Sequence, residues 1–559
     1  MLPATRSAQQ LSGMCDYEAP MVARIRAHAE AGLEKAVVES DGKSAAPVVI
    51  SYRDLFRNTE ELSKKIVQLL ASRPDGSPKH VTYLANPSIA YVIVELAIWS
   101  AGATCVPLSV HSPAPELEYF VENTESPLCI SDPAMEGLFK PVADKLGRAF
   151  AVISGQSPLF TLTPAPGTPE AAEGVVQFAA GDAALILFTS GTTGKPKGVV
   201  HTFSSVTATY ESLTEAWSWT SRDHTLHVLP CHHIHGVQNI LNTALFNGAT
   251  VEFTPFDAGH CLNRITSGDI TCFHAVPTIY VKFTQYLDKC TAEKRAELCQ
   301  GMRNEKLRYM VSGSAALPVP TMTAWAEISG HVLLERYGMT EIGMALSNNM
   351  GGTRFPGCVG WPLPNCEVKL DEEGGILIRG PCVFKEYYRN EEATKKEFTE
   401  DGWFKSGDSS QCGGSAEELQ VLQDGAIAVL KATGRDSSAV GTIPEDALKS
   451  IYRIMGRSSV DIIKSGGYKI SALEIESVLL THEKIKECAV VGKPDETWGE
   501  KVTAVCVLDG DLSLKELREW GKERLASYKV PQELEVVTEL PRNQMGKLEK
   551  KKILDRYKA

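Results

Sequence analysis

TSGTTGKPKG, Thr189 to Gly198, sets four hydroxyls, three glycines and two lysines within ten residues. It follows AALILF, Ala183 to Phe188, an uninterrupted apolar run of strand length. The loop therefore begins where a buried strand ends and backbone amides come free. Glycines let the main chain approach an anion and take positive φ, hydroxyls donate to phosphate oxygens, and lysines supply full charge. The composition points to a phosphate cradle built from Thr189, Ser190, Gly191, Thr192, Thr193, Gly194, Lys195, Pro196 and Lys197. The competing reading is a Ser/Thr/Gly-rich surface turn. A P-loop NTPase is excluded, because the G-x-x-x-x-G-K-[ST] spacing is absent: Gly191 and Gly194 stand too close and Pro196 follows Lys195.

On either side of the loop, short apolar runs alternate with helix-length amphipathic segments, which predicts an α/β architecture. Tyr52 to Ser72 has apolar residues at helical spacing, Val81 to Asn86 reads as a buried strand, and SIAYVIVELAIWSAG as a helix closed by a glycine. Ala165 to Gly174 reads as a flexible loop. At 559 residues the chain is long enough for more than one domain. Its net charge of -12 argues against nonspecific nucleic-acid or anionic-membrane binding. The apolar stretch from Tyr91 to Val106 is interrupted by Glu95, Ser100 and Gly102, so it reads as core and not as a membrane span. Fourteen cysteines without a C-x-x-C pair favour a reducing compartment over a disulfide framework. The N-terminal MLPATRSAQQLSGMC carries one arginine and no acid, a faint mitochondrial-leader pattern set against an ordinary disordered terminus, so mitochondrion and cytoplasm both stay open. No signal specifies an oligomeric state.

A second cluster, VSGSAALP (Val311 to Pro318) followed by LERYGMTEIGMAL (Leu334 to Leu346), has the strand, small-residue turn and polar groups of a ligand site at strand ends. Together with the Thr189 loop, the YGMTE string resembles the adenylate-forming superfamily of acyl-CoA synthetases, luciferases and peptide synthetase adenylation domains. That resemblance implies ATP, Mg²⁺ and coenzyme A. It places Tyr337 against adenine, Thr340 near the α-phosphate and Glu341 on the metal, a hard oxygen ligand of the kind Mg²⁺ prefers. GWFKSGD resembles the family segment whose aspartate, here Asp408, binds the ribose hydroxyls. GRSSVDIIKSGGYKISALEIE resembles the interdomain hinge and its glycine loop, with Arg457 on the ribose, Ser459 at the pivot, and Ser465, Gly466 and Gly467 facing pantetheine. PRNQMGK resembles the C-terminal lysine motif, which makes Lys547 catalytic in the first half-reaction.

The implied fold is α/β: a large N-terminal domain, 1–456, with two helix-flanked sheets and a small distorted β-barrel, then a small mobile α+β domain, 457–559. Between Asp408 and the hinge, Ser409 to Ala447 reads as a mobile surface insertion. It holds a second Gly-Arg, Gly434-Arg435, but IYRIMGR matches the hinge segment continuously and favours Arg457.

LPCHHIHGVQNIL, Leu229 to Leu241, groups three histidines without an H-E-x-x-H motif, which weakens a zinc reading. The resemblance instead puts His233 on the acyl and pantetheine channel and His235 as a donor to substrate. Arg336, just before the YGMTE string, would be costly to bury unpaired, whereas a second substrate carboxylate would satisfy it bidentately. The alternative is an arginine turned toward Glu335 or Glu341. Taken together the segments resemble malonyl-CoA synthetases more than fatty-acyl or aryl-acid ligases, implying malonate, with methylmalonate as a second candidate. A short- or medium-chain monocarboxylate ligase and a nucleotide-binding protein without catalysis are the other readings.

Overall fold

The computed structural model describes residues 18–42, 46–71, 78–166, 179–189, 195–434, 440, 445–457, 460–465, 468–495, 498–543 and 547–557. The apolar run before the phosphate loop is a strand, Ala183–Thr189, paired antiparallel with Lys197–Thr202. Thr189 stands opposite Lys197 in that register, so the two strands form a hairpin that the loop connects. The hairpin belongs to an eight-stranded sheet whose middle strands, Thr104–Pro107, His80–Leu84 and Leu128–Ser131, run parallel. Parallel strands are covered on both faces. Helix Tyr52–Ala71 contributes an apolar stripe of Leu55, Leu62, Ile66 and Leu69, and helix Ile89–Ser100 is buried along nearly its whole length. Ser88 caps the second helix by accepting the Tyr91 N–H, and Gly102 leaves it at φ +63°.

A second sheet of nine strands runs, in order, from Trp361–Pro362 through Leu346–Ser347, Leu334–Tyr337, Tyr309–Ser312, Cys272–Ala275 and His224–His227 to Thr250–Phe253, Val37–Glu39 and Val48–Ile50. A third, antiparallel sheet joins Glu367–Leu370, Gly375–Arg379, Phe404–Cys412 and Tyr452–Arg457. After it, Ile462–Ser465, Tyr468–Ser471, Ile485–Asp495, Gly499–Leu508 and Glu533–Val536 form a separate five-stranded sheet with its own core around Ile470, Ile475, Val490 and Val502. Among the described residues no helix is long and apolar enough to cross a membrane.

The segment expected to be a mobile insertion is built differently. Ser409–Cys412 continues the strand begun at Phe404, and Ala416–Thr433 is an 18-residue helix with a Ser415/Glu418 capping box. Leu419, Leu422 and Ala426 on that helix pack with Phe355, Cys358, Leu448 and Ile451, while Val429 joins the core beneath the second sheet. The Arg303 guanidinium donates to the Thr433 carbonyl, and the Trp361 indole to that of Ala447. Its spaced leucines and alanines carry an apolar stripe, and burying that stripe outweighs the flexibility expected from Gly and Ser clusters at its ends. Gly167–Gly174 of the expected flexible loop, and Arg435, lie outside the described residues.

Candidate active site

Three groups of predicted residues meet where the hairpin, the Leu334–Tyr337 strand and the Asp408–Arg457 pair converge. Asp408 and Arg457 are direct partners on antiparallel strands, which brings the Arg457 Nε to 3.6 Å from Asp408 Oδ1. The Tyr337 hydroxyl donates to Asp408 Oδ2 at 2.7 Å. Burial raises the Asp408 carboxyl above its usual range, while Arg457, Tyr337 and Lys547 pull it back. Lys547 thus approaches from the C-terminal region, where its N–H donates to Asn543 Oδ1 and its carbonyl accepts from the Asn543 N–H. Crowding by protein, then Arg457, lowers its pKa, against Asp408 and Asp461. The residue keeps exposed surface, so the desolvation is partial.

Lys550, three residues on, is 7% exposed and lies 2.6 Å from both Asp461 and Glu476. Asp461 in turn accepts the Arg457 N–H at 3.0 Å. The lysine motif is thereby tied to the segment that follows Arg457.

Glu341 is buried on the loop between Tyr337 and Leu346. A side chain at Gly338 would collide with the Gly343 carbonyl, and Gly343 sits at φ +61°, so the YGMTEIG turn needs both glycines. Tyr387 donates to Glu341 Oε1 at 2.8 Å, and the Phe384 N–H to the Glu341 carbonyl at 2.7 Å. Burial raises the Glu341 pKa, with Tyr387 and then Lys197 among the opposing influences. The Lys197 ammonium lies 3.9 Å from the Tyr387 ring centroid, which links the phosphate hairpin to the glutamate. Thr340 is half-buried, and its carbonyl meets His201 Nε2 at 2.7 Å. On the other side of the hairpin a cavity of about 370 Å³ is lined by Tyr119, Lys195, Pro196, Lys197, Tyr388 and Lys396. Ser190, Gly191, Thr192, Thr193, Gly194, Ser459, Gly466 and Gly467 lie outside the described residues; Ser465 is buried and pairs with Tyr468.

The third group is a buried cluster around Arg336. Arg336 is 5% exposed, and its Nε and Nη2 have no hydrogen-bond partner among the described residues. It does not pair with Glu335, which receives the Leu317 N–H instead, nor with Glu341. Burial lowers its pKa to about 9, which still leaves it cationic at neutral pH. Gly313 leaves room for it, since any side chain there would overlap the guanidinium. His235 opens a π-helix, His235–Asn242, the wider winding that often marks functional sites. Its Nδ1 is 3.0 Å from Ser314 Oγ, and its Nε2 has no partner among the described residues. Burial and then Arg336 push its pKa well down, so the ring is neutral. His233 lies tilted against His232 at 4.1 Å between centroids and is held neutral by burial, its pKa at about 4.

No zinc set forms from these histidines. Among the described residues only His224, Glu252 and Asp269 bring three donors together, and Arg264 already pairs both carboxylates. Sequence reading missed Tyr387 and His201, and the particular parts played by Gly313 and Ser314. The small-residue run S-G-S was visible, but which side chain it makes room for depends on the neighbouring strand.

Comparison with known proteins places the AMP-binding enzyme family on residues 26–388 and the AMP-binding enzyme C-terminal domain on residues 474–547. The chain is 39% identical to the mitochondrial malonate–CoA ligase ACSF3 of Bos taurus, over 99% of this chain and 91% of that protein. It is 36% identical to the malonate–CoA ligase of Arabidopsis thaliana, over 93% and 86% respectively. The crystal structure of ATP-bound MatB from Rhodopseudomonas palustris superimposes with a TM-score of 0.76 at 27% identity, covering 97% of this chain and 99% of that one.

Proposed function

This chain belongs to the AMP-binding enzyme family, and from that premise we propose that it joins malonate to coenzyme A at the expense of ATP, through malonyl-AMP, releasing AMP and pyrophosphate. The observation that carries the choice of acid is Arg336, a buried guanidinium whose Nε and Nη2 have no partner among the described residues. An uncompensated buried charge costs several kcal/mol, and a second substrate carboxylate is the partner whose geometry matches the guanidinium fork. His235 stands beside it as a neutral donor.

A carboxylate is a weak nucleophile and a poor electrophile, so one of its oxygens first attacks the α-phosphorus of ATP and expels pyrophosphate. The coenzyme A thiol then attacks the acyl carbon, and AMP leaves. The first step brings one anion against another, so charge neutralisation and in-line placement matter more than a general base. Lys195, Lys197 and the loop hydroxyls serve the phosphates, Asp408 and Arg457 the ribose, Tyr337 the adenine, Thr340 the α-phosphate, and Lys547 the charge that develops on activation. Ser465 and the neighbouring Gly466 and Gly467 face pantetheine, with His233 on its channel. Glu341 fits Mg²⁺: it is a buried hard-oxygen ligand positioned by Tyr387, and a divalent ion would keep it ionised against the burial that raises its pKa. When bound, the ion neutralises phosphate charge. The division into residues 1–456 and 457–559 belongs to the same reading, as does mitochondrial residence, which the mammalian relatives' names and the acid-free N-terminal stretch support.

Acid-dependent ATP–pyrophosphate exchange tests the assignment. Malonate should drive exchange far better than propionate or butyrate, and Arg336→Met should erase that preference by roughly 2 to 5 kcal/mol. Malonate preference that persists in Arg336→Met contradicts it.

A further inference from the structure

We propose that His274 is a further specificity-determining contact, completing with Arg336 and His235 a three-sided receptor for the distal carboxylate of the acid. This rests on the dicarboxylate reading above. His274 lies on strand Cys272–Ala275 and is fully buried, and neither ring nitrogen has a hydrogen-bond partner among the described residues. Two unpaired polar atoms in a dry interior are expensive. Packing alone accounts for the ring's position but not for its nitrogens: it stacks on Trp219 at 5.8 Å and 24°, and meets Trp217 and Tyr309 edge-on.

Strand register puts the ring on the right face. His274 stands opposite Val311, and Val311 opposite Leu334, so these side chains share one face of the sheet. Arg336, two residues beyond Leu334, returns to that face, whereas Glu335 points to the other with Ser312. The Arg336 guanidinium occupies the space a side chain at Gly313 would take, and Gly313 follows the same central strand. It therefore lies across the end of that strand, toward the one bearing His274. The His235 ring is 6.4 Å from the His274 ring, and its Nε2 also has no hydrogen-bond partner among the described residues. Burial and then Arg336 hold both imidazoles neutral, so each has one N–H to donate without adding a second positive charge. A carboxylate offers about four acceptor positions, enough for the guanidinium and both rings.

The test compares wild type, His274→Phe, His274→Leu and His274→Gln in ATP–pyrophosphate exchange with malonate and with propionate. Phe and Leu fill the space without a donor, and Gln restores an N–H. The expected result is a loss of about 10- to 100-fold in kcat/KM for malonate in the Phe and Leu variants, the scale of one hydrogen bond to a charged group. Propionate and the KM for ATP should stay within about threefold, and Gln should recover much of the loss. An unchanged malonate-to-propionate ratio overturns the proposal. If the donor-free variants do not fold, ¹⁵N-imidazole spectra of the wild type decide, with His274→Gln supplying the assignment: malonate but not propionate should shift the His274 nitrogens, and no shift overturns it. A wild type that prefers propionate refutes the dicarboxylate reading itself, which the first measurement reveals before any variant is compared.

Discussion

Glu95 is fully buried on helix Ile89–Ser100, with Asn242 donating to one oxygen at 3.2 Å and the other oxygen unpartnered among the described residues. Burial raises its pKa to about 8, against roughly 4.3 for a free glutamate. Below the lower value both folded and unfolded chains hold the proton. As pH rises toward 8 the unfolded chain releases it and the folded chain does not, so stability is lost across that window. Glu95→Gln removes the titration while keeping an acceptor for Asn242. Its melting temperature should gain on wild type progressively from pH 5 to pH 8, by several degrees at the upper end; parallel curves would show that Glu95 does not titrate this way. At this scale the sequence revealed residues that act through local motifs. Glu341, Asp408 and Arg457 sit in recognisable strings, and Arg336 stood out because an arginine there is hard to bury. Tyr387 and His274 were invisible, since their meaning comes from strand neighbours far away in the chain.

The helix Ala416–Thr433 is the element that local composition misjudged. Its glycine- and serine-rich borders read as a mobile segment, yet the residues between them cover Phe355 and Cys358 and bind the strand that leads into Arg457. Leu422 is 7% exposed in that cluster, so Leu422→Ala should cost about 2–4 kcal/mol of stability. Thermal unfolding checks the loss, and the KM values for ATP and malonate should stay near wild type because the helix touches neither candidate subsite. A neutral substitution would restore the picture of a dispensable insertion. The other elements were legible because period and punctuation agree: Tyr52–Ala71, Ile89–Ser100 and Ala183–Thr189 fall within a residue or two of the spans read from apolar spacing, Ser caps and glycines. The order of strands in the nine-stranded sheet was not legible, since it depends on pairings far apart in the chain.

For the whole molecule, the account requires one small domain to serve two half-reactions. Lys547 feels the charges of Arg457 and Asp408, and in the proposed reaction it would favour activation there before the thiol takes that space. Lys547→Ala should therefore slow malonyl-AMP formation by about two to four decades while thioester formation from presynthesised malonyl-AMP is largely kept. Equal losses in both steps would mean that Lys547 supports the fold or both conformations alike. The central claim is that a buried cation selects a dicarboxylate for ligation to coenzyme A. Its most direct measurement offers the enzyme malonate, methylmalonate, propionate and octanoate together with ATP, Mg²⁺ and coenzyme A, and identifies the thioesters by mass spectrometry. The account predicts malonyl-CoA as the main product, formed in step with AMP; a mixture dominated by propionyl- or octanoyl-CoA would contradict it.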